Sequence, residues 1–249
     1  MPLHMNSYQT IKVRFQEPCC YLQLYRPENN NSINSLMISE CYDVLLQCER
    51  NITILILEGL PDIFCMGADL SQIESLSASS LYDLWYKLAT GPYITIAHVH
   101  GKANAGGIGF VAACDMVIAG ANASFSLSEL LLGVLPACVM PFLIGKVGLH
   151  RARYLALTTR PVMVQTACEW GMVDAYAAND GALLHTHLLR LKNLSKTAIS
   201  AFKSYTKDLY DLKAVRQMAV TTSEKAFRDD DNRSNIDRYV KTGLLPWQH

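Results

Sequence analysis

A strand that turns on paired glycines into a helix of small residues restricts what can surround it, and residues 102–129, KANAGGIGFVAACDMVIAGANASFSLSE, contain such a turn. Gly106 and Gly107 stand at the predicted helix start, so main-chain N–H groups are unshielded by side chains and the positive end of the helix dipole faces one point. An oxyanion or a phosphate suits such a place. Glu129 closes the stretch ahead of Leu130, Leu131, Leu132 and Gly133. A carboxyl among apolar neighbours is a candidate proton carrier.

The same rhythm occurs earlier. Residues 52–57 form an almost continuous apolar run, which reads as a strand covered on both faces. The loop 59–69, GLPDIFCMGAD, follows and ends where a helix can start. Residues 71–80 are polar and serine-rich, 81–88 pattern as a helix, and 94–99 return to strand before the glycine turn. Two strand-turn-helix junctions placed side by side supply two N–H donors to one oxygen. Upstream, 11–15 and 20–24 read as paired strands, and Ser32 is the expected cap of a helix running to about residue 50. Downstream, 138–149, 152–157, 164–170 and 183–191 have helical spacing, and 195–242 contain little that resembles a strand. The chain therefore reads as α/β first and helical last.

Composition narrows the partners. Half the residues are hydrophobic and 18% charged, enough for a substantial core, and 22 basic residues balance 22 acidic ones. No basic excess points to nucleic acid or to an anionic membrane, and no apolar run reaches the ~18 residues of a membrane span. The eight cysteines show no metal-type C-x-x-C spacing, and the N-terminal residues lack a leader pattern, so a reduced, cytoplasmic protein is expected.

FCMGADL (64–70) resembles the first oxyanion loop of the crotonase (enoyl-CoA hydratase/isomerase) superfamily, and ANAGGIGFVAACD (103–115) resembles its second. SFSLSELLLGVLPA (124–137) is similar to the segment carrying the second of that family's two catalytic glutamates. The resemblance implies an α/β fold, a crotonase-like spiral of ββα units over residues 1–194, followed by a C-terminal helical trimerisation region over 195–249. It also implies Ala68 and Gly106 N–H as oxyanion donors and Glu129 as the catalytic acid–base. Where a hydratase of fatty-acid breakdown carries its first glutamate, this chain has Gly109. Further wording, YQTIKVRF, LYDLWYKLATGPY and RYVKTGLLPWQ, is close to hydratase homologues of bacterial polyketide pathways that install β-branches. That group implies dehydration of 3-hydroxy-3-methylglutaryl on an acyl carrier protein to the 3-methylglutaconyl thioester. It implies no cofactor beyond the phosphopantetheine arm of the carrier protein or of CoA, and a homotrimer or dimer of trimers.

Competing readings of the same residues stand beside these. Residues 107–112 also fit G-x-G-x-x-A, with Glu129 at about the spacing of a ribose-binding acid. The strand after that helix ends in Gly120, Ala121 and Asn122 rather than in an acid, which rejects a dinucleotide site. Cys65 has no visible base and reads as a buried thiol. His98 and His100 alternate along one strand, and no further ligands are visible for a metal, so they are expected to be core or interface histidines. Asp69 reads as a helix-start cap beside the donor loop, with a role in the site left open together with Gly107. Tyr82, Trp85, Tyr86 and Lys87 fall on a helix lying over the site if the family fold holds, and Tyr82 and Lys87 are candidates to grip a distal carboxylate; the alternative is an amphipathic helix with a solvated lysine. Lys196, Lys203 and Lys207 either meet an acidic carrier or a phosphate, or face water. Three functions stay open: the carrier-linked dehydratase, another crotonase-type enzyme (a 3-methylglutaconyl decarboxylase or a CoA-linked hydratase or isomerase), and a non-catalytic thioester-binding protein. Glu129 favours proton chemistry over decarboxylation.

Overall fold

In the computed structural model, which describes residues 8–248, the chain begins with an antiparallel pair, β1 (Ile11–Gln16) and β2 (Cys19–Leu24). The residues 1–7 in which no leader is expected, and His249 at the end of the tail, lie outside the described residues. Helix α1 (Ser35–Asn51) starts two residues beyond the expected position, because Asn34 rather than Ser32 accepts the Met37 N–H and caps it. Ile33 is thereby freed to pair with Ala68 in a bridge.

A three-turn spiral follows. β3 (Ile54–Glu58), β4 (Ile63–Cys65) and α2 (Ala78–Thr90) make one turn, and β5 (Ile94–Val99), β6 (Lys102–Asn104) and α3 (Gly106–Ala113) the next. β7 (Met116–Gly120), β8 (Ser124–Ser126) and α4 (Met140–Thr158) complete it. Each turn gives its first strand to one sheet and its second to another. Among the described residues the first sheet runs β1-β2-β3-β5-β7-β10 and the second β4-β6-β8-β9, with β9 at Val162–Met163 and β10 at Ala175–Ala177. From β2 to β10 the first sheet is parallel. The continuous apolar runs now have their reason: alternate residues serve two cores. Leu55, Leu57, Ala97 and Val99 face the main core, while Ile54, Ile56, Ile94 and Ile96 pack with Leu184 and Leu188 of α6 (Asp180–Leu191) on the other face.

α3 is buried along its whole length, as an all-apolar helix must be. α4 joins the two predicted helical runs across Gly148, whose φ of 77° breaks the helical geometry. Beyond α5 (Val164–Glu169), the tail forms α7 (Lys196–Lys207), α8 (Leu212–Arg228) and α9 (Asp230–Thr242). Two of its lysines are bonded within the chain: Lys203 pairs with Asp115 at 2.5 Å, and Lys196 donates to the Ile52 carbonyl. No helix among the described residues is long and apolar enough to cross a membrane.

Candidate active site

The two glycine-bearing loops meet because β4 and β6 are neighbours in the second sheet. The Ile33–Ala68 bridge uses Gly67 O and Asp69 N–H, at 2.7 and 2.8 Å, so Ala68 N–H stands outside that ladder. Gly106 heads α3, where an N–H has no intrahelical acceptor. A Cβ at Gly106 would lie 3.7 Å from Ala68 N, which places the two donor positions side by side. Gly67 has φ +92°, and a Cβ there would come 2.7 Å from the Ala105 methyl, so only glycine permits this approach. Ala105 itself sits at φ 50°, ψ −121°, a strained conformation at the turn that delivers Gly106.

Glu129 arrives from the third turn of the spiral. Asn104 ties this segment to the second donor loop: its side chain donates to Ser128 Oγ and accepts from Ser126 Oγ, both at 2.8 Å. Ala105 N–H donates to Ser126 O at 3.0 Å. Glu129 then opens a short 3-10 turn, Glu129–Leu132, closed by Gly133 at φ 80°. Its Oε2 is buried and has no hydrogen-bond partner. Burial pushes the carboxyl up, backbone amides of Glu129 and Ser128 pull it partly back, and it comes to about 7 from an ordinary 4.5. Asp69 is shifted the opposite way, its carboxyl lowered.

Ala68, Gly106 and Glu129 line one cavity of about 920 Å³. Trp85 of α2 also lines it, and its indole explains the missing acid: a Cβ at Gly109 would lie 2.3 Å from Trp85 Cζ2. Trp85 is 1% exposed and its Nε1–H has no partner. The place of a second carboxyl is filled by an aromatic ring. Sequence reasoning gave Asn104 no role, and placed Trp85 in the helix over the site without a role; the signal for its part was a glycine inside a helix of buried residues, which marks a close neighbour.

Tyr82 and Lys87 do not reach this cavity, contrary to the expectation for a distal carboxylate. Tyr82 is turned into the core, donating to Leu212 O at 2.7 Å with its ring 5.0 Å from that of Phe142. Lys87 pairs with Glu49 on the neighbouring helix α1. The helical period carries residue 87 to the side away from Trp85, while Tyr82, one turn before Trp85, packs with it against Phe142 and is spent on the core. Asp69 and Gly107 are also set back. Asp69 caps the turn Leu70–Ser75 and accepts from Arg26 at 2.9 Å. Burial tends to raise its carboxyl, but hydrogen bonds from Ser71 and Arg26 and the Arg26 charge outweigh this and hold it low. It anchors the Ala68 loop. Gly107 lets the two loops close, since a Cβ there would meet Cys65 O at 2.3 Å. Cys65 is fully buried and its thiol is pushed up to about 12, as an inert core residue.

The tail lines part of the cavity. Arg228 and Arg233, on α8 and α9, are the cations that line it among the described residues, Arg233 pairing with Glu74 at 2.8 Å. Leu132 and Val134, next to Glu129, pack with Ala226 and Ile236 of the tail.

The profile of the family described as enoyl-CoA hydratase/isomerase matches residues 14–249. The chain is 49% identical to the bacillaene synthase dehydratase PksH of Bacillus subtilis (strain 168), with 99% of each chain covered. It is 32% identical to the enoyl-CoA hydratase ACTT6 of Alternaria alternata, over 72% of this chain and 61% of that one. The crystal structure of a polyketide biosynthesis enoyl-CoA hydratase (pksH) from Bacillus subtilis superimposes with a TM-score of 0.94 at 49% identity, covering 96% of this chain and 100% of the other.

Proposed function

This chain belongs to the enoyl-CoA hydratase/isomerase family, the crotonase superfamily, and from that premise we propose that it is a dehydratase of polyketide assembly. Its substrate in this reading is 3-hydroxy-3-methylglutaryl carried as a thioester on an acyl carrier protein, and its product is the 3-methylglutaconyl thioester. The observation that carries the reading is Glu129: one carboxyl held near neutrality, in the same cavity as the two N–H donors, with Trp85 in the place of a second acid. The name and 49% identity of the Bacillus relative support the class of reaction.

The thioester oxygen accepts from Ala68 N–H and Gly106 N–H, which stabilise the charge that grows on it as the α-proton leaves. One such donor is typically worth on the order of 3 kcal/mol in the transition state. Ionised Glu129 takes the α-proton, the bond from the β-carbon to the tertiary hydroxyl breaks, and Glu129 returns that proton to the departing oxygen as water forms. A single group serves as base and then as acid, so both transfers occur on one face of the substrate. A pKa near the working pH suits this double duty. The phosphopantetheine arm enters beside Arg228 and Arg233, whose guanidiniums exchange their pairing with Glu224 and Glu74 for its phosphate. No resident cofactor takes part in this scheme.

Intact-protein mass spectrometry of 3-hydroxy-3-methylglutaryl carrier protein incubated with the enzyme tests the proposal. Loss of one water from the carrier is expected. Loss of carbon dioxide from an already unsaturated acyl group, or an unchanged mass with both carrier-bound and CoA-bound substrate, would overturn it.

A further inference from the structure

The sequence offers His98 and His100 without further ligands; the fold supplies them. Glu58, at the end of β3, stands in register with His98 of β5, and His98 Nδ1 lies 3.1 Å from Glu58 Oε1. Asp180, the first residue of α6, reaches over the end of β7, where a Cβ at Gly120 would stand 2.7 Å from its Oδ2. That oxygen lies 2.7 Å from His100 Nδ1, and Asp180 Oδ1 lies 3.8 Å from His98 Nε2. One ligand atom from each of Glu58, His98 and His100 falls within 4.8 Å of the other two. None of the four residues lines the catalytic cavity.

His98 is 4% exposed, and its Nε2 is buried without a hydrogen-bond partner. With Nδ1–H donated to Glu58, the buried Nε2 lone pair faces a carboxylate oxygen, and two acceptors confront each other. A proton or a metal ion belongs between them. Their 3.8 Å separation is too long for a hydrogen bond but suits two ligands of one ion, each about 2.0–2.2 Å from it. A carboxylate on the far nitrogen of a metal-binding histidine fixes its tautomer, the part Glu58 plays for His98.

We propose that His98, His100 and Asp180, with Glu58 orienting His98, bind one divalent first-row transition-metal ion of the zinc or cobalt class. Mixed imidazole and carboxylate donors favour these over magnesium or calcium. The ion joins the ends of β3 and β5 to the start of α6, on the sheet face opposite the catalytic cavity, as a structural clamp.

Cobalt(II) is the probe, titrated into the full-length protein after chelator treatment and removal of any histidine tag. One equivalent per chain should bind saturably, with visible absorption bands and a Tm that rises with cobalt concentration. Asp180→Asn and His98→Gln should lose both signals while keeping the far-ultraviolet circular dichroism of the parent. If His98→Gln fails to fold, Asp180→Asn alone decides. Absence of saturable binding to the parent, or undiminished binding to folded Asp180→Asn, would overturn the proposal.

Discussion

At Glu129 the folded chain holds a proton up to about pH 7, whereas the unfolded chain releases it near 4.5. Ionised Glu129 therefore weighs against folding: the penalty is absent below the lower value, grows between the two, and is complete above about 7. Its size is at most about 3 kcal/mol. Glu129→Gln should raise Tm relative to the parent at pH 8 and leave the two alike at pH 4.5, as read by thermal melts. Gly109 poses the opposite problem, since the Trp85 ring occupies the space of any side chain there. Gly109→Ala should cost about 1–3 kcal/mol by overpacking. Trp85→Phe should relieve much of that cost in a double-mutant cycle on denaturant melts, because the two residues are in contact. The buried setting of Glu129 was legible from its apolar neighbours and from resemblance; the contact of Trp85 with Gly109 was not, since the two lie 24 positions apart on different helices.

At the scale of elements, strands long enough to show a pattern were read at nearly their observed bounds, residues 94–99 coinciding with β5. β4, β6, β8, β9 and β10 are two or three residues long, too short for alternation to register, yet four of them form the sheet that carries the donor loops. Tyr82 and Lys87 failed as site residues for a related reason: sequence places a helix but not the rotation about its axis. Asn104 is where element geometry becomes chemistry, because it links β6 to the Ser128–Glu129 turn. Asn104→Ala should lower kcat by about tenfold or more with little change in KM, as expected when a catalytic group is misplaced. Steady-state kinetics on the folded variant reads this directly, and an unchanged kcat would remove Asn104 from the account.

In the whole molecule the tail both covers the site and presents an apolar outer face. Ile236 packs on the residues after Glu129, while Phe202, Leu209 and Met218 are 65–67% exposed. Exposed apolar surface of this kind calls for another subunit, and a homotrimer or dimer of trimers is the proposed assembly. Light scattering over a range of concentrations should show it, and a persistent, active monomer would refute it. Removing residues 195–249 should give an aggregating or inactive chain. A milder change, Ile236→Ala, should cost about 2–5 kcal/mol if its pocket does not relax, and lower turnover by loosening the Glu129 turn. Dehydration in this scheme requires one carboxyl to pass a proton from carbon to oxygen. The most direct measurement is therefore the rate of water loss from 3-hydroxy-3-methylglutaryl carrier protein, followed by mass spectrometry from pH 5.5 to 9 with parent and Glu129→Gln. The parent rate should rise with pH through an inflection at about 7, where Glu129 becomes the base, and the variant should show a residual rate, lower by a factor on the order of 10²–10⁴, without that inflection. A folded Glu129→Gln protein that keeps the parent rate and its pH profile would contradict the account.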